Sequence, residues 1–358
     1  MDSFANSYVE ARSKFLQAAT LAKLTIQTMK HPLPGPGAEE LATDVVVLGE
    51  PKASKALYVT SGVHGVEGYY GSGVMVQWLR QNLQAPAGCK IILVHACNPY
   101  GFAHGRRFTE ENVDLNRNFW PLDQAPLDNP HYQEIRDFIE YPACNTETFQ
   151  QCQQARAAYV QEKGMAGLKI ALSNGQQQSP QGLFFAGTQP TWARNTFETL
   201  VEEHTRGCEQ VFFLDLHTGL GPRGYADFLH QYAPASQQLQ DLLAYMGECV
   251  NDDERGEASA QELDGTTIAC FQHFAEKLGY QVIGGAIECG TTPLPRTLES
   301  LLQETALQRH GCDDLALARA IKQELKDCFY VNEDDWKQQV FEQTNNIKDN
   351  ALRYLQDR

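Results

Sequence analysis

His64 and Glu67 stand three residues apart where an apolar run, residues 56–60, gives way to helical spacing over 69–79. At such a junction both side chains can bend onto one cation. Imidazole nitrogen and carboxylate oxygen are the ligand types zinc accepts in hydrolytic sites. A His-x-x-Glu pair alone arises often by chance, so its company matters. Two more candidates end later apolar runs: His217 after residues 210–216, and Glu288 after residues 281–287. Two histidines with one carboxylate leave a fourth position for water, the arrangement of catalytic rather than structural zinc. Glu288 is an isolated acid, available as a base or, more plainly, as a capping or salt-bridging glutamate.

The elements that must position these groups follow from the same runs. Residues 90–97, 210–216 and 281–287 are nearly continuous in apolar character, which suits strands buried on both faces of an α/β sheet. Ligands of such sheets collect beyond the carboxyl ends of the strands, where His64, His217 and Glu288 fall. Asp215 is two residues before His217, on the same face of its strand, and can orient the imidazole. A structural role for this acid fits the sequence equally well.

Between the first pair and His217 lies a polar stretch with Arg106 and Arg107, followed by Asp114, Leu115, Asn116, Arg117, Asn118 and Phe119. With this run the chain resembles the zinc metallocarboxypeptidase family, whose clan includes the aspartoacylase-type deacylases. The matching pieces are His64 with Glu67, the run 114–119, His217 at a strand end, and Glu288 late in the chain. Their order is the family's, and residues 40–295 form the scaffold that the resemblance covers. The ending Glu288, Cys289, Gly290, Thr291 looks like a less studied bacterial branch.

The resemblance implies one zinc ion on His64, Glu67 and His217, with Glu288 as general base. It implies a substrate carboxylate held by Asn116 and Arg117, a pairing that suits the planar fork of guanidinium. Arg107 matches the family's oxyanion-stabilising arginine, with Arg106 as its rival. The family's carboxypeptidases also use a mobile tyrosine before the base. Tyr225, Tyr245 and Tyr280 lie in the right interval without a matching context. His95, His104, His230 and His273 read as structural.

The chain of 358 residues carries a formal net charge of −16, which argues against a nucleic-acid partner on electrostatic grounds. The acidic run 251–257 reads as a solvated loop. No signal peptide and no apolar run of about 18 residues is present, so a cytoplasmic location off the membrane is expected. Ten scattered cysteines without a Cys-x-x-Cys pair read as reduced thiols.

The expected fold is α/β: a single carboxypeptidase-like domain with a central mixed, mostly parallel sheet flanked by helices. Residues 1–40 are assigned to an N-terminal helix, over 4–30, and a Pro/Gly-rich linker. Residues 41–295 are the catalytic domain, with 44–49 and 56–60 as neighbouring strands. A helical insertion over about 121–207 is a wall or lid for the cleft, or simply a layer over the sheet. Residues 296–358 form a helical extension on the same domain, without the extra β-domain of the deacylases. An apolar stripe in its last 25 residues meets the core or a second copy, so a homo-oligomer is possible.

The expected function is hydrolysis of an amide in a small peptide with a free C-terminal carboxylate. The alternative is a deacylase of an N-acyl amino acid, resembling aspartoacylase and succinylglutamate desuccinylase. A third reading, from another class, is a non-catalytic metal- or ligand-binding protein on the same fold.

Overall fold

Seven strands build one sheet among the described residues, 2–121, 127, 129–250 and 265–358, of this computed structural model. They are β1 (Ile26–Lys30), β2 (Ala42–Gly49), β3 (Lys55–Ser61), β4 (Cys89–His95), β5 (Gln210–Thr218), β6 (Ala226–Leu229) and β7 (Gln281–Cys289). Their order is β1-β2-β4-β3-β5-β7-β6. The four central strands β4, β3, β5 and β7 run parallel, while β1, β2 and β6 join antiparallel at the edges. The acidic run 251–257 lies outside the described residues.

The helices are α1 (Tyr8–Leu21), α2 (Gly68–Arg80), α3 (Pro99–Ala103), α4 (Pro130–Ile139), α5 (Thr146–Ser173), α6 (Trp192–Thr205), α7 (Gln237–Met246), α8 (Thr267–Leu278), α9 (Leu294–His310), α10 (Leu315–Phe329) and α11 (Asp334–Asp357). Alternation along the strands assigns the layers. Leu57, Val59 and Leu214 face Trp78 of α2 and Trp336 and Val340 of α11, whereas Tyr58 and Phe213 face Phe197 of α6 and Phe271 of α8. A sheet covered on both faces requires apolar side chains on both, hence the unbroken apolar runs.

This order places the site. β4 and β5 flank β3 on opposite sides, so the chain direction across the sheet reverses there. Such a switch point opens a crevice at the carboxyl ends of the two diverging strands. His64 follows β3 and His217 lies in β5, so both belong to that crevice. A third apolar cluster caps this end, joining Val66 and Phe108 to Ile135 of α4, Leu172 of α5, Leu302 of α9 and Phe329 of α10. Within 121–207, α4 and α5 belong to this third cluster, and α6 packs on the sheet face of Tyr58 and Phe213.

Two expectations are corrected. The helix read over 4–30 stops at Leu21, and Ile26–Lys30 is an edge strand paired with β2. Left-handed Lys23 (φ 60°) turns the chain between them, which periodicity over so short a segment does not register. Residues 44–49 and 56–60 are strands but not neighbours, because β4 lies between β2 and β3. β4 is buried along its whole length and gains more from a central place than at an edge. The apolar stripe of α11, including Trp336, Val340, Ile347 and Leu355, is buried in the core and is not open to a second copy. Among the described residues no helix is long and apolar enough to cross a membrane.

The last residue of β4 yields a stability prediction. His95 is fully buried, its ring stacked on Phe15 at 4.6 Å and its Nε2 2.9 Å from Ser72 Oγ. Burial, against the opposing pull of Asp44, lowers its pKa from 6.5 to about 4. The neutral ring is therefore favoured in the fold. Its contribution is complete above pH 6.5 and is lost as pH falls toward 4, by up to about 3 kcal/mol. Urea unfolding at pH 7.5 and pH 5 should show a smaller loss in His95→Phe than in the unsubstituted protein.

Candidate metal centre

Residues Gly65–Glu67 form one tight helical turn ahead of α2. Its first backbone N–H groups have no partner within the turn. They are satisfied by the arginine loop, Gly65 N donating to Arg107 O (3.1 Å) and Val66 N to Arg106 O (2.8 Å). A side chain at Gly65 would put its Cβ 2.0 Å from the backbone of Gly101, so only glycine permits this docking. Arg107 is thereby carried to the same place as His64 and Glu67.

The three expected ligands converge. His64 Nδ1 is 2.8 Å from Glu67 Oε1, His217 Nδ1 is 3.0 Å from Glu67 Oε2, and the two Nδ1 atoms are 3.2 Å apart. Four-coordinate zinc with bonds of about 2.0–2.1 Å needs donor separations of roughly 3.3 Å. The three side chains fit a cation of this kind with small adjustments, and they are the cluster of metal-binding geometry among the described residues. They are only 4%, 1% and 3% exposed, so the donors are already stripped of water.

Charge in this cluster is tightly balanced. Burial pushes the Glu67 carboxyl up, but His64 and His217 outweigh it and hold it well below the usual range. Burial pulls the His217 imidazole down, yet Asp215 and Glu67 drive it well above 6.5. His217 Nε2 lies 2.8 Å from Asp215 Oδ2, a close ionic contact in which the ring N–H is not aligned on the oxygen. Asp215 is itself fixed by hydroxyl donors, Thr60 to Oδ1 and Thr267 to Oδ2, both at 2.7 Å. Thr218 N adds a bond of 3.1 Å to Glu67 Oε2.

Glu288 lies directly across from His217 in the register of β5 and β7. It is not one of the converging three. Leu220 N donates to its Oε1 at 2.9 Å. Burial, reinforced by the charge of Glu67, raises its pKa from 4.5 to about 8.

Of the two rival arginines, Arg107 faces the cluster. Its Nε donates to Asp114 Oδ2 (3.0 Å), its Nη1 to Glu67 Oε1 (3.3 Å), and its Nη2 is 2.7 Å from His64 Nε2. Arg106 turns the other way, its Nε donating to buried Glu304 at 3.0 Å. Arg117 is buried and donates from Nε to Ser173 O and from Nη1 to Asn116 O. Asn116 Oδ1 accepts from Thr267 N at the start of α8. The hydroxyls of Tyr225, Tyr245 and Tyr280 bond to Glu248 O, Asp357 and Phe271 O respectively, apart from the cluster. His95, His104, His230 and His273 also stand outside it.

Asp114 is the site residue that the sequence reading passed over. It is fully buried; Oδ1 is 3.2 Å from His64 Nε2 and accepts from Asn116 N, while Oδ2 accepts from Arg107. Burial raises its pKa, but Arg107 and His64 prevail and keep it ionised well below 3.8. The signal was present: an acid between Val113 and Leu115 is headed for burial, and a buried acid needs cationic partners.

Several solved structures are similar to this chain. Carboxypeptidase A from Helicoverpa armigera matches at 10% identity and a TM-score of 0.47, over 93% of this chain and 76% of that one. A metallo-carboxypeptidase from Burkholderia cenocepacia matches at 12% and 0.38, over 90% and 70%. A succinylglutamatedesuccinylase/aspartoacylase from Rhodobacter sphaeroides matches at 13% and 0.37, over 80% and 65%. No curated protein matches the sequence. A family model described as a protein of unknown function, DUF2817, matches residues 4–343, and the chain belongs to that family.

Proposed function

We propose that this protein is a zinc-dependent hydrolase that cleaves an amide bond in a small peptide bearing a free C-terminal carboxylate. The observation that supports it most is the convergence of His64, Glu67 and His217 with a buried carboxyl, Glu288, on the neighbouring strand. The donor set, two imidazoles and one carboxylate, is that of catalytic zinc. When bound, zinc supplies Lewis acidity that polarises a carbonyl and makes water nucleophilic near neutral pH.

The residues of the chain do the rest. Glu288 takes a proton from the attacking water and returns it to the departing amine nitrogen. Arg107 donates to the oxygen on which negative charge develops. Asn116 Nδ2 and Arg117 Nη2 bind the substrate carboxylate and set which amide lies at the centre. Asp114 and Asp215 hold the imidazoles of His64 and His217 in orientation. A non-catalytic binding protein requires neither the base nor the oxyanion donor.

Deacylation of an N-acyl amino acid is the second reading. Burial of the whole cluster favours it, since a small substrate needs less open surface than a peptide chain. Both readings require a free carboxylate, and that is the test. Arg117→Met is expected to raise KM by about tenfold or more with a smaller change in kcat, because it removes a clamp present in the ground state. Amidating the substrate carboxylate should reproduce the defect in the unsubstituted enzyme. Equal turnover of free and amidated substrates would end the carboxylate-clamp reading.

A further inference from the structure

Phe184 has a left-handed backbone, φ 54°, in the loop joining α5 to α6. A bulky residue is seldom held there, and such strain persists only where its surroundings over-determine it. Those surroundings are built around Gln176, which is fully buried. Its Nε2 donates to Ser179 O (2.8 Å) and Leu183 O (3.2 Å), and its Oε1 accepts from Gln178 N and Ser179 N. Its backbone N donates to Phe184 O at 3.2 Å.

The loop is tied in turn to the site. Asp114 N donates to Phe185 O, and Asn118 Nδ2 to Ala186 O, both at 2.8 Å. The outcome is that the Phe184 ring lies over the guanidinium of Arg107, whose Cζ is 5.2 Å from the ring centroid. Phe108 meets the same ring nearly edge-on, at 6.4 Å and 84°. Asp114, Glu67 and His64 surround Arg107 in contact with its nitrogens, and among the described residues the ring that covers its face is that of Phe184.

We propose that Phe184 is a positioning residue: its ring holds the Arg107 guanidinium flat, with its donors turned into the metal centre. The contact stands on geometry alone, while its catalytic consequence rests on the function proposed above. A cation over an aromatic face is attracted by the ring quadrupole, and this attraction survives substitution by tyrosine but not by leucine.

The test compares Phe184→Leu, which keeps an apolar side chain and the backbone, with Phe184→Tyr, which keeps the aromatic face. With an amide substrate bearing a free carboxylate, Phe184→Leu should lower kcat roughly tenfold with little change in KM or metal content. Phe184→Tyr should restore most of that loss. In an Arg107→Ala background the leucine substitution should have no further effect on kcat. A second readout is independent of activity: urea unfolding of Phe184→Leu, Arg107→Ala and the double variant should be non-additive. Additive unfolding, or equal kcat in the leucine and tyrosine variants, would overturn the proposal. Non-additive unfolding in a protein that hydrolyses no amide would support the contact and remove the hydrolase reading instead.

Discussion

Replacing His217 with alanine is expected to leave the protein without stoichiometric metal and without hydrolytic activity. His217 supplies one of three converging donor atoms and the shortest link from the cluster to Asp215. Its loss leaves Glu67 with His64 and Arg107 as its remaining charged partners. Even an outer partner of a metal ligand is worth roughly 10–100-fold in affinity, so a lost ligand should exceed that. Metal content after dialysis against zinc-containing buffer, measured beside turnover with and without chelator, decides the matter. A variant that keeps one equivalent of metal would move the site elsewhere. The unsubstituted protein should also release protons on taking up zinc. Asp215 and Glu67 favour the protonated form of the His217 imidazole, and a cation bound there displaces that proton. Calorimetry in buffers of different ionisation enthalpy reads this release directly.

The second large effect is expected from Glu288→Gln, which preserves shape while removing the base. Turnover should fall by at least about 100-fold, the scale of general-base contributions, with metal retained. Stability should move the other way. A carboxyl whose pKa rises from 4.5 to about 8 on folding favours the protonated form in the native state. Its contribution is complete below pH 4.5 and is lost as pH rises through 8. Glutamine resembles the protonated form at every pH. The metal-free variant should therefore lose less stability between pH 5 and pH 9 than the metal-free parent does. Unchanged turnover would transfer the role of base to another group. Equal pH dependence of unfolding would show that the buried carboxyl is not titrating as described.

Much of the architecture was legible because burial on both faces leaves a mark in sequence. Residues 90–97, 210–216 and 281–287 could satisfy their apolar character only as central strands, and they became β4, β5 and β7. Their polar endings pointed to the crevice, because a buried run can offer chemistry only where it emerges. His64, His217 and Glu288 stand at such endings, and His64 and His217 meet Glu67 in one cluster. Short or edge elements left weaker marks. β1 and β6 have five and four residues, too few for alternation to stand out from chance.

By itself the sequence determined which chemical groups this protein can bring together: two imidazoles, two glutamates, and arginines in one polar stretch. It did not determine how they are turned, because the direction of a long side chain depends on partners far away along the chain. Arg106 and Arg107 are equivalent as neighbours in sequence. Glu304, 198 residues away, draws Arg106 away from the cluster, while Asp114 and Glu67 draw Arg107 in. The order of strands was undecided for the same reason, since β2 and β3 are consecutive in sequence but part to admit β4. Asp114 and Phe184 matter only through what they touch, the one through His64 and the other through Arg107. Contacts of that kind exist only once the sheet has closed and the insertion has packed against its carboxyl end.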